Sequence, residues 1–406
     1  MRWLKKTALW KRILLGVIVG LAVGFISPKA ADFLSPLGDI FLRLLKMLIV
    51  PLVFFTITSG ICKMGDIKQL RTVGLSFVAW IAMSAIIATS IGVVVGLMCH
   101  LGTGINEFLA TPGATKPAEY NFIDNVVSWV PTNIVEAMST ANMLQIIFFS
   151  LFLGIALLSL GDRVKTLVAV IDQGSDAMLK ITEYVMEYSP IGIMSLMATM
   201  VATVSGAMMK EILIFLLADN ICAAILLLIC YPLIVKYFAK INAWHFMKKI
   251  SPTILVALST TSSAATLPVS LKLAGEELGI PENIYGFTLP LGNTAGMSGF
   301  ALFIGLCCVF ASNLFGIPIT LSSIIEFIFL GLILSIGAAG VKGAGIVMSS
   351  VLFQALGMPL SLVPIFAAIW PVIDPAHTVL NNVGDLVGTS IVARKLDKID
   401  MKIFEK

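Results

Sequence analysis

The chain has 406 residues, of which 58% are hydrophobic and 12% charged, with a formal net charge of +4. Soluble domains carry about 25% charged residues, so this is an all-α polytopic membrane protein. The Lys and Arg residues flank apolar runs and form no basic patch, which excludes nucleic acid as a partner. Six cysteines (Cys62, Cys99, Cys222, Cys230, Cys307, Cys308) lie in apolar stretches without metal-ligand spacing and read as small buried hydrophobes. The three histidines do not cluster, and no Walker A sequence, dinucleotide fingerprint or nucleophile with its base occurs. No enzyme and no cofactor is expected.

In chain order, Arg2, Lys5, Lys6, Lys11 and Arg12 precede an apolar run from Ile13. They place the N-terminus in the cytoplasm, with a first span near 11–28. A second span runs over about 36–62 and is followed by Lys63, Lys68 and Arg71; a third occupies 73–100. Each is long enough for a hydrocarbon core of about 30 Å. Residues 101–125 are rich in Gly, Thr, Pro and Ala and read as an external loop. Residues 126–160 form a segmented fourth span, broken at Pro131 and near Ser139-Thr140. A fifth covers 174–205, with a bend at Pro190, and a sixth 211–237. The basic loops agree with both termini inside a plasma membrane or bacterial inner membrane.

After residue 250 the pattern changes. Ile254–Val269 carries a run of hydroxyls, Ser259 to Ser263, closed by Pro268, and suits a re-entrant hairpin. Non-helical backbone at membrane depth survives only where it is buried or lines a cavity. A second interruption follows at Pro290–Gly299, where Pro and Gly break a span. A third, Gly337–Gly345, separates apolar arms at 321–336 and 346–356. The plan is hairpin then helix over 250–311, and again over 318–395. Paired broken segments point to a transport site.

The last helix, about 361–395, carries the strongest signal. Between Asn283 and Ala393 only Glu326, Lys342, Asp374 and Asp385 are charged. Asp374, His377, Thr378, Asn381 and Asp385 share one helical face. A carboxylate at the bilayer centre costs about 3 kcal/mol or more and normally faces a protein interior on a pathway.

These motifs, in this order, resemble the dicarboxylate/amino acid:cation symporter family, which includes the glutamate transporters. The matching pieces are Lys46–Leu52, the Ser-rich hairpin ending in Thr266-Leu267-Pro268-Val269, Phe287–Gly292, Gly340–Gly345, and Asp374–Asp385 continuing into Gly388-Thr389. The resemblance implies eight transmembrane helices plus two re-entrant hairpins in a homotrimer of elevator-type transporters. The scaffold would be 1–72 and 106–208; the transport domain would be 73–105 and 209–400, with the second hairpin as outer gate.

The same resemblance assigns roles. Asp374 matches the acid that binds a substrate ammonium, Asn381 the asparagine that holds its carboxylate, and Ser262 and Ser263 add donors at the hairpin tip. Val341 and Gly345 belong to the second hairpin's share of the site. His377 stands where carriers of acidic amino acids have an arginine. It cannot make the bidentate fork of a guanidinium, which favours a neutral or polar amino acid; the rival is a structural histidine. Thr378 and Phe300 complete the side-chain pocket. The family's Asn-Met-Asp-Gly-Thr signature reads Gly296-Met297-Ser298-Gly299-Phe300 here, and Ile81 and Ala85 replace two further ligands. A hard cation needs oxygen ligands, so the deepest sodium site is expected to be absent. Asp385, with Gly292, Gly296 and Asn381, matches a second sodium site; Thr294, Met297 and residues 335–338, beginning at Ser335, match a third. Lys342 stands where the family has proline; its ammonium at the gate replaces a bound cation, meets a substrate anion, or reaches external water. The coupling ions are therefore sodium, protons or neither. The rivals are a conventional sodium symporter of acidic amino acids or dicarboxylates, an ion channel, and a non-transporting sensor.

Overall fold

The computed structural model describes residues 9–63, 71–103, 127, 129–203, 206–337, 344–356, 358 and 360–405. Val341, Lys342 and the rest of the second hairpin's tip lie outside them. The described residues contain no strand. In chain order the long helices are α1 (Leu9–Ile26), α2 (Pro28–Lys63), α3 (Arg71–Met98), α4 (Met143–Leu160), α5 (Lys165–Thr203) and α6 (Gly206–Ile225). They are followed by α7 (Ser251–Thr260), α8 (Ser263–Glu276), α9 (Glu282–Ala295), α10 (Ser298–Leu314), α11 (Leu321–Gly337), α12 (Ala344–Ala355) and α13 (Val363–Lys395).

Local chemistry explains where helices stop and widen. The expected break in the fourth span lies between a short turn, Ile134–Ser139, and α4. Asn133 and Asn142 cap these two pieces, each side chain accepting from backbone N–H groups of the next turn. The chain of α6 continues to Ala239 through two widened turns that flank Tyr231–Ile234. Pro232 sits there and cannot donate to the carbonyl four residues back; a wider turn takes up that loss. The fifth helix begins at Lys165, nine residues before the expected start, because the charged first half stays helical. Pro190 lies inside it without ending it.

Five stretches among the described residues are long and apolar enough to cross a membrane: Lys29–Cys62, Thr72–Met98, Gln145–Thr199, Met208–Ala239 and Glu282–Leu314. On α6 and its continuation Leu213, Leu217, Ile221 and Leu228 are exposed at helical spacing, an apolar stripe suited to lipid. Inside, α5 packs along α1 and α2, and α2 along α4. Farther along the chain, α3 packs against α10, and α13 touches α6, α7, α8, α9, α10 and α12. Every residue of α10 except Asn313 is buried, as expected of a helix apolar all round. The polar half of α13 is buried without interruption from His377 to Ser390. The core therefore closes around the polar helix.

Candidate substrate and ion site

The first hairpin breaks over only two residues. Thr261 takes a left-handed conformation, with φ of 48°, and Ser262 is extended and caps α8 by accepting from the Ala265 N–H. Ser263 follows as the first residue of α8, and its hydroxyl accepts from Asn382 Nδ2 at 3.1 Å. The same amide group donates to the Thr378 carbonyl at 2.8 Å. Asn382 thus ties the start of α8 to α13.

The span broken by glycines interrupts later than its proline suggests. α9 runs through Pro290 to Ala295, and only Gly296 and Met297 leave the helix. Asn381 bridges this gap: its Oδ1 accepts from the Gly299 N–H at 2.8 Å, and its Nδ2 donates to the Met297 sulfur at 3.1 Å. The Asp385 carboxylate lies against Gly292 and Gly296. A Cβ at either glycine would come within 2.2 and 2.3 Å of its Oδ1, so only glycine admits the acid. Thr294 donates back to the Pro290 carbonyl at 2.6 Å and Ser335 to the Leu332 carbonyl at 2.8 Å. Neither hydroxyl contacts the Asp385 group.

Beneath this lies a set of protein donors. The Tyr231 hydroxyl donates to the Leu380 carbonyl at 3.1 Å and shares a 2.7 Å hydrogen bond with Ser298. Ser298 also donates to the Leu380 carbonyl, at 3.3 Å. The Trp80 indole N–H donates to the Gly384 carbonyl at 2.9 Å. Gly384 and Gly388 leave room for these two rings, since a Cβ there would meet the Tyr231 hydroxyl and the Trp80 ring.

His377 reaches the other way. Its Nε2 lies 3.0 Å from Oδ1 of Asp219 on α6, with the side chains 2% and 0% exposed. Phe303 and Trp370 pack around the imidazole. Phe300 packs against Trp370, whose ring lies on the backbone of Gly345 in α12.

The structure therefore brings Ser262, Ser263, Thr378, Asn381, His377, Phe300 and Gly345 around one end of the polar face, and Asp385, Gly292, Gly296, Met297 and Ser298 around the other. Asp374 is half-buried one turn before His377. Thr294 and Ser335 join neither group through a described contact. Sequence reasoning passed over Asp219, Asn382, Tyr231 and Trp370, and gave Trp80 no role. Asp219 is the only charged residue between Glu211 and Lys236, the same signal that marks Asp374. Asn382 lies eight residues after Asp374, on the same face.

Comparison with known proteins now decides the family. A model described as the sodium:dicarboxylate symporter family matches residues 9–395. The chain belongs to that family. It is 29% identical to the proton/sodium-glutamate symport protein of Bacillus caldotenax, covering 96% of this chain and 95% of that protein. It is 28% identical to the C4-dicarboxylate transport protein of Bacillus subtilis, over 96% and 94% of the two chains. It is likewise 28% identical to the proton/glutamate-aspartate symporter of Escherichia coli, over 96% and 92%. Membership makes this symporter homologue a multi-pass membrane protein and a secondary transporter of a small molecule.

Proposed function

We propose that this chain carries amino acids with neutral or polar side chains, with sodium coupling reduced relative to a conventional symporter. The observation that carries the reduced coupling is Ser298, which stands where the family signature has an acid and is engaged by the Tyr231 hydroxyl and the Leu380 carbonyl. A hydroxyl committed to protein partners has little to offer a cation, and Ser298 supplies no carboxylate. Asp385 between Gly292 and Gly296 keeps the acid of one further sodium site.

Substrate choice follows from charge. Asp374 suits an ammonium group. His377 is held by Asp219, so a substrate's acidic side chain would approach a buried carboxylate where an arginine would be needed. The motion is a transport domain, 73–105 with 209–400, sliding in an elevator manner against a scaffold, 1–72 with 106–208, within a homotrimer. The names of the relatives favour a second reading: sodium- or proton-coupled transport of glutamate or C4-dicarboxylates.

Uptake of radiolabelled amino acids and dicarboxylates into proteoliposomes, with sodium and pH gradients imposed separately, tests both. The expected result is uptake of a neutral or polar amino acid with little response to sodium. Uptake confined to acidic substrates and driven by sodium would establish the second reading. Current without substrate accumulation would mark a channel, and ligand binding without flux a sensor.

A further inference from the structure

Among the described residues Asp219 and His377 are the most deeply buried ion-pairing groups, and the transport reading uses Asp219 only as a fixed charge beside the side-chain pocket. The two side chains come from different helices, α6 and α13, and meet through Nε2 and Oδ1 at 3.0 Å. Their outer atoms, His377 Nδ1 and Asp219 Oδ2, are buried with no hydrogen-bond partner among the described residues. No lysine or arginine pairs with either of them there. The titratable groups around the pair are Cys222 on α6 and Cys307 on α10, both near Asp219, and Asp374 one turn before His377 on α13. Phe303 and Trp370 pack beside the imidazole, and the Trp370 indole N–H is likewise buried without a partner among the described residues.

The charge count decides what such a pair can be. A neutral imidazole beside an ionised carboxylate leaves one net negative charge in a dry interior. An isolated charge in low dielectric is so unfavourable that the group neutralises instead. One added proton removes the net charge in either of two forms, imidazolium with carboxylate or imidazole with carboxylic acid. These are one macroscopic protonation state of the pair. Water at the pair removes the penalty and lets the proton leave.

We infer that His377 and Asp219 form a proton-binding site that holds one proton while the pocket is closed and releases it when the pocket opens to water. The proton comes from and returns to solvent, so no other reactant is needed. The inference rests on the transporter reading, in which the pocket opens and closes, and adds Asp219 as the acid through which pH acts.

The test compares wild type with Asp219→Asn, in which a neutral side chain of the same shape still meets His377. In wild-type proteoliposomes the uptake rate should change by up to about tenfold per pH unit on the limb where the pair titrates. In the variant uptake should persist with that limb flattened at least several-fold. A variant that keeps the wild-type pH profile, or a wild type indifferent to pH, overturns the proton site while leaving the transporter reading intact. The chain has three histidines, so nitrogen NMR of histidine-labelled protein in lipid gives a second readout, His377→Gln assigning the signal. That readout decides the matter if Asp219→Asn fails to fold or if no substrate is taken up. A His377 signal that passes between the nitrogen shifts of protonated and neutral imidazole as pH is varied between about 5 and 9 supports the site. A signal fixed throughout that range overturns it.

Discussion

At the scale of single residues, the site is a set of close approaches that identity alone only half reveals. Asp374, His377, Asn381 and Asp385 stand out because a polar stripe is costly in an apolar helix. What each of them touches depends on partners far away in sequence. Asn381 holds the backbone of Gly299, and the neighbouring Asn382 holds the start of α8. His377 is engaged by an acid 158 residues away. That acid changes what an arginine at this position would do. His377→Arg alone should leave substrate preference unchanged, because the guanidinium would pair with Asp219, a bidentate partner already in reach. Adding Asp219→Asn should free the guanidinium and raise the ratio of acidic to neutral amino-acid uptake by about tenfold or more, in line with roughly 1.4 kcal/mol from one charge-assisted contact. Competition of unlabelled substrates against a labelled one measures this ratio. A shift produced by the single substitution would mean that Asp219 does not command the pocket.

At the scale of elements, the positions of helices were legible and their interruptions less so. The expected arms at 321–336 and 346–356 and the expected last helix at 361–395 fall within two residues of α11, α12 and α13, whereas α8 runs seven residues past the Val269 at which the hydroxyl-rich segment was expected to end. The break at Pro290–Gly299 was expected from its proline onward, yet α9 absorbs that proline and opens at Gly296. The deciding factor is the closeness of Asp385 and His377 to Gly296 and Gly299, which no local propensity encodes. Packing of α3 on α10 depends on glycine for the same reason. A Cβ at Gly305 would lie 2.2 Å from the Thr89 carbonyl oxygen, and one at Gly92 would lie 2.3 Å from the Leu302 oxygen. Small residues let helix backbones approach in membranes. Gly305→Val would force the two backbones apart, and overpacking of this kind costs about 1–3 kcal/mol or more. The expected outcome is a clear fall in the thermal unfolding midpoint of purified protein. Gly286→Ala is the matched control: its Cβ meets only Glu282 at 3.7 Å, and alanine favours the helix. Equal midpoints for the two variants would contradict the crossing.

At the scale of the whole molecule, family and all-helical class were legible because five motifs fall in order along the chain. The division into moving and fixed parts was an inference from that resemblance, and several packings cross it, α13 on α1 and α5 among them. The helices α11 and α12 also pack on α2, which packs along α4 and α5. If the part carrying α13 slides past α2, α11 must lose its place there in every cycle. A Cβ built at Gly60 on α2 lies 3.8 Å from the Ile336 Cγ2 on α11 and more than 4 Å from its Cβ, so a small shift brings cysteines at the two positions within the Cβ separation of about 3.5–4.5 Å that a disulfide spans. Gly60→Cys with Ile336→Cys should therefore crosslink under mild oxidant. Trapped in this arrangement, the protein should lose more than about nine-tenths of its uptake and regain it with reductant, since the constraint is covalent and reversible. Each single-cysteine variant, treated in the same way, reports any effect of the native cysteines. Protein that is fully crosslinked by mass spectrometry and still transports at the uncrosslinked rate would show that α2 and α11 travel together. The boundary of the moving part would then lie outside α2, between helices now placed on the same side.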